Sequence, residues 1–201
     1  MICYTSGTTG IPKGALLTHI NLVSVGTVCR DYILELASDI GANDYYISYL
    51  PMGHAFEHFM QTSCIALGMG IGFSLGDTRK IVDDFKALRP SVFASVPRVL
   101  ERVISKVKES IQNENWLVRT MFNMAYNKKK RMIMKNNTNK CPFWDKYVFK
   151  TILEKMGLEK VRAMVTGSAP ITEENHLFLR ILFLYSLLVH HSLIEQMYYK
   201  D

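Results

Sequence analysis

Short β-prone runs ending at a glycine or proline alternate along this chain with longer stretches of helical spacing, and that alternation limits the fold more than any other feature. Residues 91–96 are a β-rich hexamer that meets Pro97, and 98–111 then carry Val99, Val103, Ile104, Val107 and Ile111 on one helical face. The same succession recurs on either side. Residues 2–4, 45–51 and 70–75 read as strands, the second feeding the loop Met52-Gly53-His54. Asp77 stands where a helix N-cap belongs, with Ile81, Phe85 and Leu88 behind it and an end required before Pro90. Residues 116–135, 143–156 (stopped by Gly157) and 172–184 read as helices, and 161–166 as a strand opening into Gly167-Ser168-Ala169-Pro170. Residues 16–32 are expected to form a helix whose apolar side is Leu16, Ile20, Val23, Val28 and Tyr32. This order predicts an α/β domain, a largely parallel sheet layered with flanking helices, with ligands at the loops beyond the carboxyl ends of the strands. Three loops carry unusual chemistry, at 5–14, 52–58 and 167–170, and they are expected to share one crevice.

Two apolar runs test the alternative of a membrane-spanning chain. Residues 59–75 contain Gln61, Gly68, Gly70 and Gly72 and fall short of the ~20 residues a spanning helix needs, so they read as a buried strand-turn-strand region. Residues 177–189, interrupted by Arg180, read as a core helix. Lys plus Arg exceed Asp plus Glu by 24 to 18, a formal charge of +6 that favours anionic partners without choosing among them. Cys3, Cys29, Cys64 and Cys141 show no C-x-x-C pairing and no secretory signal precedes them, which predicts a reducing, intracellular setting. The basic run Lys128-Lys129-Lys130-Arg131 reads either as a solvated helix face or as a contact for an anionic organelle membrane, at which the protein would be peripheral. No motif that reads nucleic acid accompanies it.

The segment Tyr4-Thr5-Ser6-Gly7-Thr8-Thr9-Gly10-Ile11-Pro12-Lys13-Gly14 concentrates glycines, hydroxyls and one lysine. Glycines let backbone N–H groups approach a ligand, hydroxyls donate hydrogen bonds and the lysine adds a mobile charge, a mixture suited to a polyphosphate. A polar surface turn is the plainer alternative. The P-loop of the usual NTPases is excluded, because it needs a lysine directly after its second glycine with a hydroxyl behind it.

T-S-G-T-T-G-x-P-K-G resembles the phosphate-binding signature of the adenylate-forming superfamily of acyl-CoA synthetases, peptide-synthetase adenylation domains and luciferases. Nine fixed letters at ~7% each would arise by chance in a chain of this length with probability on the order of 10⁻⁸. Leu50-Pro51-Met52-Gly53-His54-Ala55-Phe56-Glu57, Gly72-Phe73, Gly76-Asp77, Val96-Pro97-Arg98-Val99-Leu100 and Val165-Thr166-Gly167-Ser168-Ala169-Pro170 follow in order and look like the long-chain fatty acyl-CoA synthetase branch. The resemblance implies a two-step ligation in which a fatty acid is activated with ATP to acyl-AMP and then transferred to coenzyme A, with magnesium required. It assigns Thr5, Ser6, Gly7, Thr8, Thr9, Gly10 and Lys13 to the phosphates and Thr5 also to magnesium. His54 falls where relatives place a histidine at the junction of nucleotide and acyl pockets, with Ala55 against the nucleotide, so Lys13 and His54 are the candidate catalytic residues. Gly167, Ser168, Ala169 and Pro170 resemble the loop along the adenine. Phe56 and His58 either line the acyl tunnel or pack in the core, and a helix-start salt bridge is the expected role of Arg98.

The resemblance covers 1–183, part of the large N-terminal adenylation domain. The family's Tyr-Gly-x-Thr-Glu and Thr-Gly-Asp segments and its smaller C-terminal domain with a catalytic lysine do not follow. Residues 184–201 diverge, and a frameshift or unspliced intron is expected as their source. An N-terminal part that relatives carry before the phosphate loop is expected to be missing too. Two readings result: a fragment of a long-chain fatty acid–CoA ligase, inactive as it stands, or a truncated, non-catalytic protein that binds nucleotide or a partner.

Overall fold

The computed structural model describes residues 1–5, 12–136, 138–166, 171–183 and 188–189. Strands β1 (Ile2–Thr5) and β2 (Lys13–Leu16) pair antiparallel, with Ile2 opposite Leu16 and Thr5 opposite Lys13. Leu17 N extends the pairing to the carbonyl of Met1 at 2.8 Å. This pairing corrects the expected helix at 16–32: Leu16 is held in the hairpin, and α1 spans His19–Leu36 behind a capping box at Thr18. The Thr18 hydroxyl accepts from Asn21 N, while the Asn21 side chain accepts from Thr18 N. The buried face of α1 also differs from the expected one. Ile20 and Val23 are 77% and 61% exposed, whereas Gly26 and Ile33 turn inward. Both sides of this helix are apolar, so close approach decides between them. A Cβ on Gly26 would lie 2.5 Å from Thr62 Cγ2, and Ser63 Oγ donates to the Gly26 carbonyl at 2.9 Å.

The main sheet has the order β4-β3-β5-β6-β7, every pair parallel. Its strands are β3 (Tyr45–Ser48), β4 (Gly70–Phe73), β5 (Val92–Ser95), β6 (Ala163–Thr166) and β7 (Leu188–Val189). Alternate residues serve opposite faces, as the period of two requires. Tyr46, Val92, Ala94, Ala163 and Val165 pack with Ile33 of α1 and with Phe56, Met60 and Cys64 of α2 (Ala55–Ala66). Ile47, Phe93 and Met164 pack on the other face with α3 (Ile81–Leu88), α4 (Pro97–Gln112), α5 (Trp116–Asn136) and their successors. The strands are therefore apolar on both sides, which is how a parallel sheet between helical layers reads. The expected α/β layering stands, with the hairpin as a separate two-stranded piece.

Local chemistry sets the element ends. Asp77 caps a 3₁₀ turn (Thr78–Lys80) that runs into α3, and Arg89, at φ 53°, ends that helix just before Pro90. Pro97 is the first residue of α4, where its missing N–H costs nothing. Arg98 behind it is exposed and makes no ion pair among the described residues, contrary to expectation. One continuous helical run comprises α6 (Pro142–Trp144), a π-helical turn (Asp145–Phe149) and α7 (Lys150–Met156). Gly157 stops it at φ +73°.

Two apolar runs differ from their sequence reading. Residues 59–66 belong to α2 rather than to a strand, because Phe56, Phe59, Met60, Ser63 and Cys64 bury one helical stripe; only Gly70–Phe73 is strand. The run 177–189 is divided between α8 (Glu173–Leu182), which Thr172 caps, and β7 beside β6. Among the described residues, no helix is long and apolar enough to cross a membrane.

Candidate active site

The chain leaves β3 toward His54 and leaves β6 at Thr166 on the same edge of the sheet, because both strands run parallel to β5. Ser95 and Thr166 are register partners at the ends of β5 and β6. Tyr49 Oη donates to Ser95 Oγ at 3.0 Å, and Ser95 Oγ donates to the Val96 carbonyl at 3.2 Å. Thr166 Oγ1 is buried with no partner among the described residues. Burial holds the Tyr49 hydroxyl well above the usual tyrosine range, so it stays protonated and keeps donating.

His54 closes a tight turn: its N–H donates to the Pro51 carbonyl at 2.9 Å, and its own carbonyl accepts from Glu57 N at 3.1 Å. It is the N-cap residue of α2 and makes no side-chain cap, which leaves the imidazole exposed at the head of that helix. Ala55 follows as the first helical residue, half-buried. Phe56 packs in the layer between α2 and the sheet, beside Tyr46 and Met60. His58 is half-buried, and its Nε2 is buried without a partner among the described residues.

The hydroxyl- and glycine-rich segment stands in sequence between β1 and β2, a pair separate from the main sheet, so only two of the three expected loops leave strands of that sheet. Register places Thr5 opposite Lys13, with the Lys13 side chain exposed. Lys13 and Gly14 belong to β2 itself. Ser6, Gly7, Thr8, Thr9 and Gly10, and likewise Gly167, Ser168, Ala169 and Pro170, lie outside the described residues.

Sequence reasoning missed a polar network beneath His54. Glu57 is fully buried, and its carboxylate accepts from Tyr46 Oη at 2.8 Å and from Gln61 Nε2 at 2.9 Å. The signal was present: Glu57 and Gln61, four apart, stand within the inward-facing turns of an otherwise apolar helix. Lys129 is a second correction. It is wholly buried, with Nζ 2.8 Å from Asp145 Oδ1 and 4.7 Å from the Phe149 ring centroid, so it cannot join Lys128, Lys130 and Arg131 in a membrane contact.

A profile of the AMP-binding enzyme family matches residues 1–193. The chain belongs to that family. It is 40% identical over 182 residues to the peroxisomal long chain acyl-CoA synthetase 6 of Arabidopsis thaliana, covering 90% of this chain and 25% of that protein. It is 43% identical over 176 residues to long-chain-fatty-acid–CoA ligase 5 of Rattus norvegicus, covering 86% of this chain and 25% of that one. The adenylation domain of a carboxylate reductase from Mycobacterium chelonae superposes with a TM-score of 0.60 at 18% identity, over 93% of this chain and 25% of that one, a likeness of fold. This AMP-binding chain thus spans about a quarter of the length of the curated relatives it matches.

The family's chemistry implies magnesium. Among the described residues no three His, Cys, Asp or Glu side chains gather as a metal site. The residue expected to help hold it, Thr5, offers a hydroxyl in place of a carboxylate and pairs with Lys13 across β1 and β2.

Proposed function

We propose that this chain is the part of a long-chain fatty acid–CoA ligase that holds the ATP phosphates and the acyl-transfer junction. The observation that supports this most is identity of 40% or more, across about nine-tenths of the chain, to relatives named for that activity. A carboxylate is a poor acylating agent until one of its oxygens becomes part of a better leaving group. In the proposed reaction a carboxylate oxygen attacks the α-phosphorus of ATP, pyrophosphate leaves, and the thiol of coenzyme A then displaces AMP from the acyl carbon.

What the protein contributes is alignment and charge. Thr5 and Lys13, partners across β1 and β2, flank the run of hydroxyls and glycines, where the Lys13 ammonium would offset charge on the departing pyrophosphate. Ser6, Gly7, Thr8, Thr9 and Gly10 complete that cradle in this proposal, and Gly167, Ser168, Ala169 and Pro170 would lie along the adenine. His54 and Ala55, at the head of α2, would sit between nucleotide and acyl group, with His58 toward the acyl chain. Lys128, Lys130 and Arg131 remain the residues for any contact with an anionic membrane.

The test is ATP–pyrophosphate exchange by the native-length protein with and without a long-chain fatty acid. Exchange should require the fatty acid, and Lys13→Ala should lower it on the order of 10²-fold. Exchange that ignores the fatty acid, or that Lys13→Ala leaves intact, contradicts the proposal.

A further inference from the structure

We propose that Glu57 is a positioning residue, acting with Tyr46 and Gln61 to fix the head of α2, and with it His54, against the end of β3. The inference rests on the function proposed above only for what His54 does; the latch itself is geometric. Tyr46 and Ser48 stand two apart on β3 and share a face, while Glu57 and Gln61 stand four apart on α2 and share a face. Glu57 Oε2 accepts from Tyr46 Oη at 2.8 Å, and Oε1 accepts from Gln61 Nε2 at 2.9 Å. The same Gln61 nitrogen lies 3.1 Å from Ser48 Oγ and 3.3 Å from Met52 Sδ. Four side chains thus bridge the strand and the first two turns of the helix, and the bridge extends to the loop that ends at His54.

Packing alone would not select this arrangement. A fully buried carboxylate is costly when no cation is near, and no ion pair reaches Glu57 among the described residues. Leucine or methionine would fill the volume without that cost. What an apolar residue could not do is accept two directed hydrogen bonds from two different elements. Glu57 also lies in the first turn of α2, where the helix dipole favours a negative charge. Burial, and then the Glu57 charge, push the Tyr46 hydroxyl far above its ordinary range, so it remains the donor. The same two influences push the Cys64 thiol up to about 12.

The turn that presents His54 has little else to orient it. His54 makes no side-chain cap, and its own N–H reaches no farther than Pro51. Beside the Glu57 N–H bond to the His54 carbonyl, Gln61 is the side-chain link from the helix body to that turn, and Glu57 holds Gln61 in place.

The experiment compares native-length wild type with Glu57→Gln, Gln61→Met and Tyr46→Phe, the last removing one oxygen and serving where the first does not fold. Hydrogen–deuterium exchange over residues 49–57 should rise about tenfold in each folded variant while β5 and β6 keep their wild-type protection. In the exchange reaction, kcat should fall roughly tenfold or more with KM for ATP within about twofold of wild type. Unchanged protection over 49–57 overturns the inference, as does a raised KM with kcat intact. A uniform loss of protection across β5 and β6 also overturns it, because the network would then hold the fold and not the turn. Wild type without any fatty-acid-dependent exchange would sink the proposed function, and the protection data would still decide the latch.

Discussion

Lys129 carries its charge into the core between α5 and the π-helical turn, and Asp145 is its counter-charge. Asp145 is itself fixed, its second oxygen accepting from Cys141 N at 2.6 Å. Burial pulls the Lys129 ammonium below the usual lysine range, and the hydrogen bond it donates to Asp145 opposes that pull. Removing one partner strands the other charge, so Lys129→Met should cost about 3–5 kcal/mol in urea unfolding, and the double change Lys129→Met with Asp145→Leu should recover most of it. Equal costs for the single and double variants would contradict a coupled pair. The composition of the run 128–131 hid this role, but the spacing did not. Phe122, Ala125, Lys129 and Ile133 recur at intervals of three and four, which puts Lys129 on the buried stripe of α5. Glu57 gave a signal of the same kind, on the buried stripe of α2 with Phe56, Met60 and Cys64.

Among elements, alternation of strand and helix was legible because each strand is short, apolar on both faces and closed by a turn residue. What misled was local ambiguity between periods. Residues 59–66 are apolar enough to read as strand, and only the stripe they bury against α1 and the sheet shows the helix. The inward face of α1 depended on the Gly26 crossing, a fact of tertiary packing that no window of sequence contains. The π-helical turn at Asp145–Phe149 left no sequence signal either, whereas the stop at Gly157 did. A side chain at Gly157 would have to adopt φ +73° and place its Cβ 2.5 Å from the backbone of Lys86. Gly157→Ala should therefore destabilise by roughly 2–4 kcal/mol, while Gly53→Ala, with no atom near its added methyl, should stay within about 0.5 kcal/mol. Comparable losses at both glycines in thermal unfolding would contradict this account.

Over the whole molecule, a parallel sheet between helical layers brings the end of β6 and the turn before α2 to one edge, and a separate hairpin presents Thr5 with Lys13. The turn that ends at His54 was legible because Pro51 and Gly53 break the strand pattern before it, whereas Lys13, read as loop, stands in β2. The network that supports the turn was not legible, because it joins residues 46, 48, 57 and 61 through space. Native-length protein should be given a long-chain fatty acid labelled with ¹⁸O in its carboxylate, together with ATP and coenzyme A, and the products read by mass spectrometry. Attack of the carboxylate on the α-phosphorus predicts one ¹⁸O in the phosphate of AMP; ADP with the label in inorganic phosphate, or no label in AMP, would contradict it.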